Sequence, residues 1–384
     1  MNHSISLPRY VEYGKNAIQK LPELLKKIGI SAPFIISDQV MLALGFVDQL
    51  SDVLQEQDFG IFTNTVPEPT AQSIVNGVVA FELGQYDGIV ALGGGSVIDS
   101  AKAIAILGRF GGKIQNYKFP YRIDKPGLPI IAIPTTAGTG SECTAVTIIT
   151  DEITQEKMLC MGDGLLPTAT IIDYRFTVTV PKRITADTGI DALTHAIEAY
   201  VSKKANLFSD QQALSAMRLI GKNILTVYHD GKNETAREAM LLAAMLAGVA
   251  FSNSSVALVH GMSRPIGAFF HVPHGLSNAI LLPLVTEYSI GAASERYAQC
   301  AKAIGMAEEK DDILVANQKL IKGLYQLNKE LEVPKIRSLG IEYDKFNQVI
   351  HIMAEQSLNS GSPFNNPKVP SASEIIEIYQ NLWV

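Results

Sequence analysis

Cysteine is scarce in this 384-residue chain, which holds Cys143, Cys160 and Cys300 and no others. None belongs to a CxxC pair, so the sequence offers neither a disulfide framework nor a thiolate zinc site. The expectation is a cytoplasmic protein with reduced thiols. Long apolar runs are missing too. The longest, MLLAAMLAGVAF, is too short to span a bilayer and reads as a buried helix, and MNHSISLPRYVEYGK lacks the apolar stretch of a signal peptide. No membrane partner is expected. Nor is there an excess of positive charge: the formal net charge of -6 argues against broad nucleic-acid binding, which needs a basic face. There is no internal repeat and no low-complexity tract. Hydrophobic content of 47% against 18% charged instead predicts an ordered globular protein, long enough for two domains with substantial cores.

The two halves carry different periodicities. FIIS (34–37), GIVALG (88–93) and PIIAIP (129–134) read as buried strands, separated by the helical stretches NAIQKLPELLKKIG, VDQLSDVLQEQ and SIVNGVVAFELGQ. Strand–helix alternation implies a mostly parallel sheet with helices on both faces. The pattern changes near Pro181. From Ile184 onward, amphipathic stretches such as GIDALTHAIEAYVS and ETAREAMLLAAMLAGVAF follow one another with few strand signals. The expected organisation is an α/β domain over residues 1–181 and an all-helical domain over 182–384.

One motif in the first half points to a nucleotide. Gly93, Gly94, Gly95 and Ser96 follow a strand and open a helix, where glycines let a phosphate approach and free N–H groups carry the positive end of the helix dipole. The GxGxxG fingerprint is absent, and so is a convincing acid about 20 residues after the motif. Asp38 ends the earlier strand FIIS and is the candidate acid. A carboxylate there accepts hydrogen bonds from an adenosine ribose and repels a 2′-phosphate, which favours NAD over NADP. The plain alternatives are a tight turn for GGGS and a helix cap for Asp38. A second polar loop, PTTAGTGSE, offers Thr135, Thr136, Thr139 and Ser141 at the end of another strand. Taken alone it reads equally as a Gly/Thr-rich connector.

The second half carries the candidate metal ligands. Asp191 and His195, in GIDALTHAIEAY, are four residues apart and stack on one helix face. His260 and His274, in VHGMSRPIGAFFHVPHG, flank a stretch with Pro265, Pro273 and two glycines, read as rich in loop. Three imidazoles and a carboxylate suit a divalent transition metal, iron(II) or zinc. Alone, each pair is more often a packing histidine or a helical hydrogen bond; together they shift the balance to a metal site. Glu198, three residues after His195, is expected to be a structural ion pair rather than a ligand or a ligand's partner. His3, His229 and His351 are expected at the surface. Together these features point to metal-assisted hydride transfer.

At these residues the chain resembles the iron-containing (group III) alcohol dehydrogenase family. The resemblance rests on PRYVEYG, VPEPT, GGGSVIDSAK, PTTAGTGSE, GIDALTHAIEAYVS and HGMSRPIGAFFHVPHGLSNAILLP, and spans nearly the whole chain. It implies a Rossmann-like dinucleotide-binding domain followed by a helical domain, a dehydroquinate synthase-like architecture with the site in the cleft between them. It implies that Asp191, His195, His260 and His274 hold the metal, with iron(II) the favoured ion, and that the GGGS turn holds the NAD pyrophosphate with Asp38 near the ribose. More loosely, it matches the TTAGTGS hydroxyls and Lys157 to the cofactor. Asp99 and Lys102 belong to the glycine motif; Asp99 is counted among the cofactor-binding residues, with the individual roles of the two left open. A small alcohol or aldehyde substrate and a homodimer or larger assembly are implied as well.

Two positions depart from the family pattern. Glu68 stands in VPEPT where the family usually has Asn beside the cofactor. Arg264 stands four residues after His260, where many members have a second His linked to proton transfer. Arg stays protonated at any working pH and cannot act as a general base. It is left to hold an alkoxide, to orient a substrate carboxylate, or to pack, and His271 is the one nearby substitute for a relay. Rival readings are a polyol or hydroxy-acid dehydrogenase, a metal-independent reductase, a dehydroquinate-synthase-like lyase and a non-catalytic NAD-binding sensor.

Overall fold

The β-branched runs of the first half form the centre of a sheet. The structure, a computed structural model, describes residues 3–54, 57–154 and 156–383. It divides into two compact units, Ile5–Thr179 and a second that runs from Val180.

In the first unit, chain order is β1 (Tyr10–Tyr13), α1 (Leu21–Ile28), β2 (Pro33–Ile36), α2 (Gln39–Ala43), α3 (Phe46–Leu54), β3 (Gly60–Phe62), α4 (Ala71–Glu82), β4 (Gly88–Gly93), α5 (Gly95–Phe110), β5 (Ile130–Pro134), β6 (Val146–Asp151), β7 (Glu156–Met161) and β8 (Ala169–Ile172). Six strands make one parallel sheet in the order β1-β8-β5-β4-β2-β3. The strands β2, β4, β5 and β8 are buried at every position, as expected of a parallel sheet covered on both faces. Successive residues serve opposite cores: Phe34 and Ile36 pack with Ile98 and Ile104 of α5, while Ile35 packs with Leu24 of α1 and Leu50 of α3. The chain passes from β2 outward to β3, then returns to place β4 on the other side of β2. That reversal is a topological switch point, the position where open α/β sheets bind ligands. Asp38 follows β2 there, and the GGGS turn follows β4. The antiparallel β6–β7 hairpin stands outside this sheet.

From Val180 the fold is helical: α6 (Lys182–Val201), α7 (Leu207–His229), α8 (Glu234–Ser252), α9 (Leu258–Phe270), α10 (His274–Ser289), α11 (Ser294–Ile304), α12 (Ile313–Glu330), α13 (Tyr343–Asn359) and α14 (Ala372–Asn381). Asn206 with Ser209 and Ser371 with Glu374 form capping boxes that start α7 and α14. Helix α6 is buried almost all round, from Thr185 to Val201, by α7, α8 and α10. Helix α8 has the length and hydropathy to cross a bilayer, yet 61% of its apolar window is buried inside the unit. The stretch read as rich in loop is two helices. Pro265 lies inside α9, and three residues, His271 to Pro273, separate α9 from α10. Proline in a helix interior forfeits one hydrogen bond, which the burial of Leu258, Val259, Met262 and Ile266 on the same helix offsets.

Candidate metal centre

Three helices of the second unit deliver the four residues. Asp191 and His195 sit one turn apart on α6, His260 in the first turn of α9, and His274 is the first residue of α10. Gly275 sets how closely α10 approaches α6: a Cβ there would lie 2.5 Å from the carbonyl oxygen of Asp187, one turn before Asp191. One potential ligand atom from each of Asp191, His195, His260 and His274 falls within a 4.8 Å sphere of separations. Asp191 Oδ1 is 3.6 Å from Nε2 of His260 and of His274, and 3.9 Å from Nδ1 of His195. The imidazole of His195 lies between two rings, Phe251 and His260, both at 4.3 Å and close to parallel. Asp191, His195 and His260 are buried; the His274 side chain is 40% exposed, so the centre opens on that side.

Burial works against the charge on Asp191, but the pull of His195, His274 and His260 outweighs it and holds the carboxyl well below the usual range. Burial likewise works against a charged His260, and its bonds to Asp191 and Glu198 carry its pKa upward despite that. Glu198 is the part that sequence reasoning misjudged. Instead of a simple ion pair, its carboxylate lies 2.7 Å from Nδ1 of His260 and accepts the backbone N–H groups of Ala257 (2.8 Å) and Val259 (2.5 Å) at the start of α9. An Nδ1–H donated to Glu198 fixes the tautomer that turns the lone pair of Nε2 toward the centre.

Asn278, on α10 four residues after His274, was not anticipated. Its Nδ2 donates to Asp191 Oδ1 at 2.6 Å and stands 3.2 Å from both His260 Nε2 and His274 Nε2, while its buried Oδ1 has no partner. An amide nitrogen has two hydrogens, and three acceptors converge on it. The centre is therefore rich in lone pairs and short of positive charge, which is the donor chemistry a divalent cation satisfies. The remaining predicted catalytic residues divide. Arg264, one turn after His260 on α9, is half-buried, whereas His271 caps α9 in the left-handed region (φ 55°), is exposed, and is not among the clustered residues. His3, His229 and His351 are exposed.

At the sheet edge of the first unit, Gly94 caps α5 without a side chain, leaving the first N–H groups of the helix clear of any side-chain acceptor. The TTAGTG loop packs directly on this turn: a Cβ on Gly95 would stand 2.7 Å from Cγ2 of Thr139 and one on Gly94 3.4 Å from Oγ1 of Thr136. Thr135 N donates to Gly93 O at 3.1 Å. Glu68, at φ 52°, donates its N–H to Ser96 Oγ at 3.3 Å and pairs with Lys157 Nζ at 2.8 Å. Asp38 accepts Met41 N at 2.8 Å and so caps α2. Asp99 and Ser141 are turned inward: Ser141 Oγ donates to Asp99 Oδ1 at 2.5 Å and accepts from Lys102 Nζ at 2.9 Å. Lys102 also donates to Thr144 Oγ1 and Val146 O, and so ties α5 to the base of β6. This network supports the turn from behind.

A parallel α/β sheet with a phosphate-ready turn at its switch point, joined in one chain to a helical unit bearing a three-histidine, one-aspartate centre, defines a metal-dependent, nucleotide-linked oxidoreductase. Residues 8–174 match the family model of iron-containing alcohol dehydrogenase, and residues 185–383 match the C-terminal model of the Fe-containing alcohol dehydrogenase family. The chain belongs to the iron-containing alcohol dehydrogenase family. It is 33% identical over 371 residues to an NAD-dependent methanol dehydrogenase of Bacillus methanolicus, covering 96% of each chain. It is 35% identical over 382 residues to a 1,3-propanediol dehydrogenase of Klebsiella pneumoniae, covering 98% of each. A crystal structure of a 1,3-propanediol oxidoreductase superimposes with a TM-score of 0.95 at 34% identity, over 100% of both chains.

Proposed function

We propose that the chain is a metal-dependent, NAD(H)-linked dehydrogenase of short primary alcohols and diols, running in reverse as an aldehyde reductase. The observation that carries this reading is the convergence of Asp191, His195, His260 and His274 on one buried, electron-rich centre. The names of the relatives, a methanol dehydrogenase and a 1,3-propanediol dehydrogenase, support small alcohols as the substrate class. Iron(II) is the metal the family favours, and the same donors accept zinc.

When bound, a divalent ion supplies Lewis acidity toward a hydroxyl or carbonyl oxygen, and the nicotinamide supplies the hydride acceptor. The remaining work falls to side chains of this protein. Asp191, His195, His260 and His274 hold the ion; Glu198 fixes the tautomer and orientation of His260; Phe251 restricts rotation of His195 by stacking on it. The GGGS turn receives the pyrophosphate on free N–H groups, with Thr136 and Thr139 beside it and Lys157 at its rim. Asp38 keeps one carboxylate oxygen on Met41 N and uses its negative charge to disfavour a 2′-phosphate. On oxidation the alcohol carbon gives a hydride to the nicotinamide and the hydroxyl proton leaves to water. Arg264 does not accept that proton, because it is already protonated.

Assembly as a homodimer or larger and a cytoplasmic location belong to the same reading. The test is NADH formation at 340 nm from a panel of one- to four-carbon alcohols and diols, with the metal-loaded protein. Steady turnover is expected from the parent and none from His260→Ala. A metal-replete protein inert toward the whole panel and toward the matching aldehydes would favour the non-catalytic sensor instead.

A further inference from the structure

Arg264 is a cation without a counter-ion. It lies four residues after His260 on α9, hence on the same face and roughly 6 Å further along the helix. The side chain is half-buried, its Nη1 makes one long hydrogen bond to Ser362 Oγ (3.3 Å), and its Nε, shielded from solvent, has no acceptor. Among the described residues no carboxylate stands within 4.0 Å of it. Burial lowers its pKa, and the negative charge of Glu198 works the other way. Yet both oxygens of Glu198 are already engaged, by Val259 N on one side and by Ala257 N and His260 Nδ1 on the other.

A cation with a desolvated, unpaired N–H costs free energy unless an acceptor, best an anionic one, repays it. A divalent ion at the neighbouring centre adds positive charge and does not repay it. Nor does the nicotinamide of NAD, cationic when oxidised and neutral when reduced; the negative charge of the cofactor lies on its pyrophosphate, which the proposed reading gives to the GGGS turn. What fits is an anion that arrives with the substrate. We infer that Arg264 forms a subsite for a carboxylate on the substrate, so that the preferred substrates are short hydroxycarboxylates and the corresponding aldehyde acids. A planar guanidinium with free N–H groups pairs with a carboxylate through two parallel hydrogen bonds, which a histidine cannot do. Arg264 and His260 stand one helical turn apart on α9, so the carboxylates that fit are short ones, roughly two to four carbons from the reacting oxygen. The reaction stays balanced: the hydroxyl carbon passes a hydride to NAD, the hydroxyl proton goes to water, and the carboxylate is unchanged.

This inference rests on the alcohol dehydrogenase reading of the metal centre, and the two fail separately. The first arm compares kcat/KM for 3-hydroxypropanoate and 1-propanol in the parent, Arg264→Met and Arg264→Lys. The parent is expected to prefer the hydroxycarboxylate at least ~10-fold, a factor typical of one desolvated charged pair. Arg264→Met should erase that preference, mainly through KM, and Arg264→Lys should restore part of it. The second arm needs no turnover: propanoate and its neutral match propanamide are titrated by calorimetry into metal-loaded, NADH-bound parent and Arg264→Met. Tighter binding of propanoate to the parent alone is expected. A parent that oxidises 1-propanol but shows no preference for the carboxylate in either arm overturns the subsite and leaves the dehydrogenase. A parent that oxidises no alcohol overturns the dehydrogenase reading, and the calorimetric arm then decides the subsite: equal binding of propanoate and propanamide, or a propanoate preference that persists in Arg264→Met, rejects it.

Discussion

Glu198 Oε2 lies 2.7 Å from Nδ1 of His260, and the same carboxylate takes two backbone N–H groups from the residues that open α9. A single side chain on α6 thus starts one helix and aims the ligand that helix carries. Glutamine in its place has an N–H₂ group to set against donors, so at least one of these bonds is lost. Glu198→Gln is expected to weaken metal affinity roughly 10- to 100-fold, the usual cost of removing a ligand's supporting partner. Competition with a chromogenic chelator measures it. Unchanged affinity would mean that Glu198 serves α9 alone.

Glu68 puts a carboxylate at the rim of the GGGS turn, paired with Lys157, while its backbone N–H is held by Ser96 Oγ. An incoming pyrophosphate meets that charge and competes for the same lysine. Glu68→Gln is therefore expected to tighten NADH binding about 3- to 10-fold, the range of one relieved like-charge contact at a partly exposed site. The effect should shrink in high salt. Fluorescence titration of NADH reads it directly, and weaker binding in Glu68→Gln would show that the carboxylate helps the cofactor.

Asp38 both caps α2 and bears the charge expected to exclude a 2′-phosphate. Asn retains the cap and removes the charge. Asp38→Asn should raise kcat/KM for NADP relative to NAD by at least ~10-fold, with little change in melting temperature. If the ratio stays fixed, Asp38 acts only as a cap.

Behind the glycine turn, burial pushes Glu142 up to about 7 from an ordinary value of 4.5, and the nearby Lys102 is pushed down to about 8 from 10.5. The folded chain keeps a proton on Glu142 that the unfolded chain releases, so stability falls as pH rises from about 4.5 through 7. The loss is on the order of 3 kcal/mol at most. For Lys102 the sign reverses: the unfolded chain binds a proton the folded chain lacks, and stability rises between pH 8 and 10.5. Urea unfolding at pH 5 and pH 7.5 should show the parent losing stability that Glu142→Gln keeps. Parallel pH profiles would contradict the buried acid.

The legible parts of the sequence were those with a period or a fixed spacing. GIVALG coincides with β4, FIIS and PIIAIP fall within one residue of β2 and β5, and the four candidate ligands meet at one centre. Three short strands were missed because their signals were weak: β1 and β3 lie at sheet edges and are only partly buried, and β8 has four residues. The hairpin of β6 and β7 does alternate, but polar residues such as Thr147 and Asp151 occupy its buried face. Pro273 does lie in the short connector, but Pro265 read as loop because proline breaks isolated helices, whereas here α9 is held by its buried face. Asn278 gave no advance signal. Its spacing of four from His274 is visible, but an asparagine on an apolar helix has many uses, and only the packing of α10 on α6 shows that its amide fills the centre. Nothing in the sequence signalled the internal bonds of Asp99 and Ser141: hydroxyls and carboxylates near a glycine turn suit a ligand equally well, and in the fold Ser141 takes a bond from Lys102 and gives one to Asp99.

The central claim is that four side chains from α6, α9 and α10 hold one divalent ion. Its most direct test is metal content per chain, measured by elemental analysis on anaerobically prepared parent and Asp191→Ala protein after reloading with iron(II) or zinc and gel filtration. About one ion per folded parent chain and almost none in the variant is the predicted result, with a higher melting temperature for the loaded parent. A parent that retains no ion, or an Asp191→Ala protein that retains as much as the parent, would contradict the account.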